Sequence, residues 1–242
     1  MPHGTPDWGL LGPKTTVFGL DDLGEHAARL GSPHFFDRRG DTVFLTDFSE
    51  GMSFFWPVAW GGAGTTGFST GNSRTGAYAV RLTPGATAGD YAELQFMLAP
   101  SVLGPIGLEF TFGSAEVGCY WEGWLHWNDG VDWAEARIRV SMSTGELEYY
   151  IGAARWVHIA TVGTMRAWAS AMHTLKMVVD INREEYVRVL LNDQVYPLPG
   201  VPIPPVGGVL APHIRGHIRC TRLGAIMDDG YVDNVIITQN EP

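Results

Sequence analysis

From Thr42 onward the chain is a succession of short runs rich in Val, Ile, Thr and aromatic residues, cut at near-regular intervals by Gly, Pro, Asn or Asp. Such runs read as strands, because β-branched and aromatic side chains fit a pleated, half-buried surface and the residues between them make turns. They fall at 42–46, 77–83, 91–97, 106–112, 117–127, 134–142, 146–151, 156–162, 174–181, 186–191, 216–221 and 231–238. About twelve strands at this spacing predict an all-β fold, a two-sheet antiparallel jelly-roll sandwich. With 31 Gly and 15 Pro in 242 residues, a coiled coil or long helical bundle is excluded, and nine Trp, eleven Phe and eight Tyr exclude disorder.

Residues 1–40 read differently. Pro2, Pro6 and Pro13 with Gly4, Gly9 and Gly12 predict an extended arm over 1–19. One short helix is predicted over Asp22–Leu30, capped by Asp21 and stopped by Gly31 and Pro33. The expected organisation is therefore an arm and short helix over 1–40, then a sandwich over 41–242. Trp8, Leu10, Leu11, Val17 and Phe18 cannot bury themselves within such an arm, so it is expected to lie on its own sandwich or on a neighbour's, and a homo-oligomer is expected. Thr164–Met172 is the other helical candidate, short enough to be a loop turn. Residues 196–208 carry five prolines and predict an irregular surface crossing.

The formal net charge of −10 argues against holding a nucleic-acid backbone through overall charge. No stretch of 18 apolar residues predicts a membrane span. The first residues show no basic segment followed by an apolar run, so the chain is expected to be made in the cytoplasm and to reach any extracellular place by another route, such as lysis. Cys119 and Cys220 read as buried thiols, with a pairing across the fold left open.

Three segments carry a resemblance. Asp47-Phe-Ser-Glu-Gly51 with Trp56 and Trp60, then Ser73–Thr83, then Tyr231-Val-Asp-Asn-Val-Ile-Ile-Thr238 resemble the opening and closing strands of jelly-roll carbohydrate-binding modules. His173–Asp180 and Tyr186–Asp193 are similar to a laminin-G or concanavalin A-like sandwich. The resemblance covers about residues 42–238 and implies a lectin-like fold. It also implies a structural Ca²⁺ joining the first and last strands, on Asp47 and Asp233 with Glu50, although Phe48-Ser49 departs from the family pattern. Turn chemistry is the other reading of those acids. The first 50 residues, with Phe36-Asp-Arg-Arg-Gly40 before the sandwich, are similar to virion structural proteins of tailed phages, which implies other virion proteins as partners.

Jelly-roll glycosidases place paired carboxylates on a strand as Glu-x-Asp-x-x-Glu, and this chain lacks that pattern. Glu146 and Glu148 share a strand face but equally make a solvated edge. The five histidines 126, 158, 173, 213 and 217 are scattered and suggest no triad. A recognition face emerges from strand alternation instead. Tyr120, Glu122, Trp124 and His126 fall on one side of a strand; Arg137 and Arg139 fall on one side of the next, and Tyr150 follows with Glu146 and Glu148. An aromatic platform flanked by carboxylate, guanidinium and imidazole groups suits a glycan. A solvated face with Arg–Glu pairs, or a protein interface, fits the same residues. The expected function is a non-enzymatic structural and recognition protein, a phage-like virion component such as a capsid decoration or tail protein. The alternatives are a glycan-binding lectin-like module or a divergent glycosidase.

Overall fold

The computed structural model describes residues 39–242, without 62–63, 75–76, 100–103, 129, 132, 169–170, 208–211 and 225–228. The expected arm and Asp22–Leu30 helix lie outside the described residues. Within them the chain forms fifteen strands and no helix. The strands are β1 (Asp41–Thr46), β2 (Trp56–Trp60), β3 (Thr65–Ser69), β4 (Ala79–Thr83), β5 (Tyr91–Leu98), β6 (Pro105–Ser114), β7 (Cys119–Asn128) and β8 (Trp133–Ser141). They continue as β9 (Glu146–Tyr150), β10 (Trp156–Thr161), β11 (His173–Asp180), β12 (Glu185–Leu191), β13 (Gln194–Pro202), β14 (His213–Arg222) and β15 (Gly230–Gln239).

Two antiparallel sheets result. One runs β13-β12-β11-β6-β15-β4-β3, with β1 added against β15; the other runs β10-β9-β8-β7-β14-β5-β2. Neighbours such as β7 and β14, or β6 and β15, come from distant parts of the chain, which is the crossed connectivity of a jelly roll. Side-chain alternation builds the core between the sheets. Ile106, Leu108, Phe110 and Phe112 of β6 meet Trp121 and Leu125 of β7, Ile138 of β8, Ile218 of β14 and Leu94 and Phe96 of β5, all buried. Burying each such side chain is worth about 1.5–3 kcal/mol. Gly216 sits on the core side of β14 because the Phe96 ring takes the place of a side chain: a Cβ there would lie 1.9 Å from it.

Three strands were not foreseen by periodicity. β2 and β13 contain prolines, and β3 (Thr-Thr-Gly-Phe-Ser) is short and poor in aliphatic residues. β2 and β13 are the outer strands of their sheets, where a missing N–H costs no ladder bond. The prolines expected to force an irregular crossing over 196–208 thus begin with an edge strand: Pro197 stands opposite Arg188 and Pro202 opposite Glu185. The described residues of 164–172 form a loop, with Met165 buried. Ser143–Gly145 makes the β8–β9 hairpin turn; Gly145 has φ +68° and donates its N–H to Ser141 O at 2.9 Å. Cys119 and Cys220 are both buried and not joined by a disulfide.

Candidate functional site

The seven-stranded sheet turns its apolar residues inward and sets an unusual group of side chains on its outer face. Register fixes three cross-strand rows there, since directly opposed residues point to the same side. The middle row is Val58 (β2), Glu93 (β5), Arg219 (β14), Glu122 (β7), Arg139 (β8), Glu148 (β9) and His158 (β10). Beside it run Trp56, Gln95, His217, Trp124 and Arg137 on one side, and Trp60, Tyr91, Thr221, Tyr120 and Ser141 on the other. The expected residues Tyr120, Glu122, Trp124, His126, Arg137, Arg139 and Tyr150 all lie on this face. Glu93, Tyr91, Arg219, Glu135 and Trp156 join them and were not singled out from sequence, and so do Trp56, Trp60 and His217, which the sequence offered in other roles.

A stack of alternating rings and guanidinium groups crosses the face. Trp60 lies parallel to Tyr91, with centroids 6.3 Å apart. Arg219 sits 3.7 Å over Tyr91 and 4.0 Å from the centre of Trp124. Arg137 follows, 3.7 Å over Trp124 and 4.6 Å over Tyr150. Arg139 lies 4.2 Å over Trp156 and 5.3 Å over Tyr120. Each arginine is also fixed by a carboxylate through its Nε: Arg219 donates to Glu93 at 2.7 Å, Arg139 to Glu148 at 2.6 Å, and Arg137 to Glu135. Trp124 is therefore no bare platform. It stands outside the sandwich core, yet is only 6% exposed, closed in by Arg137, Arg219, His126 and His217. The open rings are Trp56 and Trp60 on the edge strand β2, 54% and 63% exposed.

Two carboxyl groups of the middle row, Glu93 and Glu122, are driven apart. Burial pushes Glu122 up, and this outweighs the guanidinium charges and the 2.7 Å hydrogen bond from Trp124 Nε1. Burial also pushes on Glu93, but hydrogen bonds and charge from His217 and Arg219 prevail and bring it down to about 2. His217 is itself lowered, by burial first, so the Arg219 guanidinium is the lasting positive charge beside Glu93. His126, lowered by burial to about 2, stays neutral next to Glu135. Among the buried atoms here, His217 Nε2 has no hydrogen-bond partner.

The acids implied for Ca²⁺ do not fit one. Asp47 Oδ1 accepts the N–H and hydroxyl of Ser49 at 3.0 and 2.5 Å, and this turn holds its carboxyl low. Asp233 is fully buried and accepts the N–H groups of Arg74 and Asn234 at 2.7 and 2.8 Å. Glu50 is exposed. Among the described residues no three His, Cys, Asp or Glu side chains come together as a metal-holding group. Turn and backbone capping, the other reading of these acids, is what Asp47 and Asp233 do.

No family model and no curated protein matches the sequence. Solved structures do. The potassium-bound carbohydrate recognition domain of Emp46p is similar at 11% identity and a TM-score of 0.51, covering 80% of this chain and 92% of that one. The shared fold is a two-sheet antiparallel jelly roll. An endo-β-1,4-glucuronan lyase from the fungus Trichoderma reesei matches at 11% identity and TM-score 0.53, over 82% of this chain and 95% of the lyase. A carbohydrate esterase from the Shiga toxin-encoding bacteriophage phi24B matches at 16% identity and TM-score 0.51, over 82% and 98%. These two correct the expectation of a non-enzymatic protein. The same sandwich carries lyase and esterase chemistry, so lacking one glycosidase motif does not exclude catalysis on this fold.

Proposed function

We propose that the outer face of the seven-stranded sheet binds a polysaccharide and cleaves it, with Glu122 as the proton donor and Glu93 as a fixed negative charge. The observation that carries this reading is the row Glu93–Arg219–Glu122. Two carboxyl groups stand on alternate strands, roughly 9.6 Å apart at the backbone, two strand spacings. One is held ionised and the other is pushed toward its protonated form. That division gives the face one group able to hold a proton and one fixed negative charge, the pairing of roles that favours cleavage through a positively charged sugar. Trp56 and Trp60 supply exposed rings at the rim for sugar stacking, and similar folds that recognise or process carbohydrate support the substrate class.

The test is incubation with a panel of neutral and acidic polysaccharides, following new reducing ends and the ultraviolet absorbance of unsaturated ends. Glu122→Gln and Glu93→Gln are expected to stop product formation while the protein still binds the polymer. Full rates in both variants, or no cleavage across the panel, would refute these roles. A phage setting is what the phage-encoded esterase among the similar structures supports; a role in a phage-like particle, with other virion proteins and further copies of this chain as partners, is proposed from the sequence resemblance alone. In that setting the polymer is a host-surface polysaccharide and the protein works outside the cell that made it.

A further inference from the structure

We infer that the polysaccharide is an acidic one with carboxylates on its sugar rings, and that Arg137, Arg139 and Arg219 read those carboxylates. This rests on the polysaccharide reading above and narrows it. The three guanidinium groups share one construction. Each gives its Nε–H to a glutamate of the same face, and each lies over aromatic rings. No hydrogen bond to the described residues engages their terminal nitrogens. Their side chains are 23%, 25% and 14% exposed, so the group is neither sunk in the sheet nor waving in solvent.

A guanidinium held in this way has its faces occupied and an N–H edge to offer. That edge is planar, charged and doubly donating, which matches the two oxygens of a carboxylate and is wasted on a single hydroxyl. The rotamer cost of ordering an arginine is already met in the unbound protein by the Nε pair and the stacking, so it does not weaken binding. A neutral glycan would use the middle of the face differently, by laying a ring on Trp124, and Arg137 and Arg219 have taken that ring's surroundings. Bare rings remain at the rim, on Trp56 and Trp60. The face thus offers stacking at its edge and carboxylate recognition at its centre. The alternative is that the Arg–Glu pairs serve the fold alone; that reading has least force for Arg139–Glu148, where both partners are partly exposed and such a pair contributes little to stability.

The experiment compares binding of full-length protein to polyglucuronate and to the same polymer with its carboxyl groups chemically reduced to alcohols, at low and moderate salt. Binding of polyglucuronate at least tenfold tighter than the reduced polymer supports the proposal. Arg139→Gln and Arg137→Gln are then expected each to cost roughly ten- to hundredfold on polyglucuronate. The preference for polyglucuronate over the reduced polymer should fall with that affinity. The melting temperature should change little in Arg139→Gln, whose partner Glu148 is itself partly exposed, and should fall in Arg137→Gln, because Glu135 stays buried without its cation. Equal affinity for the two polymers overturns the acidic-substrate proposal and leaves the polysaccharide reading standing. Binding of neither, with none across the wider panel, overturns both. Loss of folding in both variants, together with retained preference in Arg139→Lys, assigns the arginines to the fold and also counts against the proposal.

Discussion

Glu122 and Glu93 are the same residue in two surroundings, and their pH signatures differ in sign. Glu122 is raised by burial, so the folded state holds its proton more tightly than the unfolded chain does at about 4.3. Stability from this group falls as pH rises through the folded value. Glu122→Gln removes the charge and keeps an acceptor for Trp124 Nε1, so it is expected to raise the melting temperature at pH 8 and to give little gain at pH 4. Glu93, lowered to about 2, contributes stability that is fully present above about pH 4.3 and is lost as pH falls through 2. Glu93→Gln is expected to lower the urea midpoint at pH 7, and the gap to wild type should close between about pH 4.5 and 2. Identical pH profiles for the two variants would contradict the split. Strand alternation alone placed Glu122 on the face, because β7 announces itself as Cys-Tyr-Trp-Glu-Gly-Trp. It could also have flagged Tyr91-x-Glu93-x-Gln95 and Arg215-x-His217-x-Arg219, which alternate with buried Leu94, Phe96, Ile214 and Ile218. What no periodicity carries is that β14 lies between β7 and β5, so the pairing of Glu93 with Arg219 stayed hidden.

At the scale of elements, the strands legible in sequence were those packed on both sides or cleanly alternating, such as β6, β7, β11 and β15. The edge strands β2 and β13 were not, because proline suppresses the signal while the edge tolerates it. Missing β2 had a functional consequence, since it presents Trp56 and Trp60 at the rim. Both rings are more than half exposed, so removing them sacrifices little packing. Trp60→Ala and Trp56→Ala are expected to change the melting temperature by no more than a degree or two, while weakening polysaccharide binding by roughly tenfold each, as for an aromatic contact worth about 1–1.5 kcal/mol. Affinity electrophoresis in gels containing the polymer measures the loss. Unaltered mobility shifts would remove β2 from the binding surface.

On the scale of the whole molecule, the sequence discloses a sandwich but not how its larger sheet is secured. The outer face of that sheet carries charge that is almost entirely buried: Lys176 of β11 and Arg188 of β12 meet Glu241, which follows β15, and Glu109 of β6 lies 3.8 Å from Lys176. Glu241 receives Lys176 Nζ at 2.7 Å on one oxygen and Arg188 on the other, and Thr238 donates to it as well. Gly107 of β6 makes the room, since a Cβ there would lie 2.9 Å from both Glu241 Oε1 and Lys176 Cε. One carboxylate thus links β11 and β12 to the strand that closes the sheet more than fifty residues later in the chain. Such a group is costly to bury and costlier to remove, because the cations it served stay behind in a low-dielectric site. Glu241→Ala is expected to cost about 3–5 kcal/mol, a fall of roughly 6–20 °C at about 2–4 °C per kcal/mol for a chain of this size. Glu241→Gln keeps the acceptors without the charge and should cost less. The outer face of the other sheet shares none of these residues, so polysaccharide binding below the lowered melting temperature should match wild type. A loss under 1 kcal/mol in Glu241→Ala, read from urea unfolding at pH 7, would mean that the cluster is solvated and that the sheet is held by its apolar side alone.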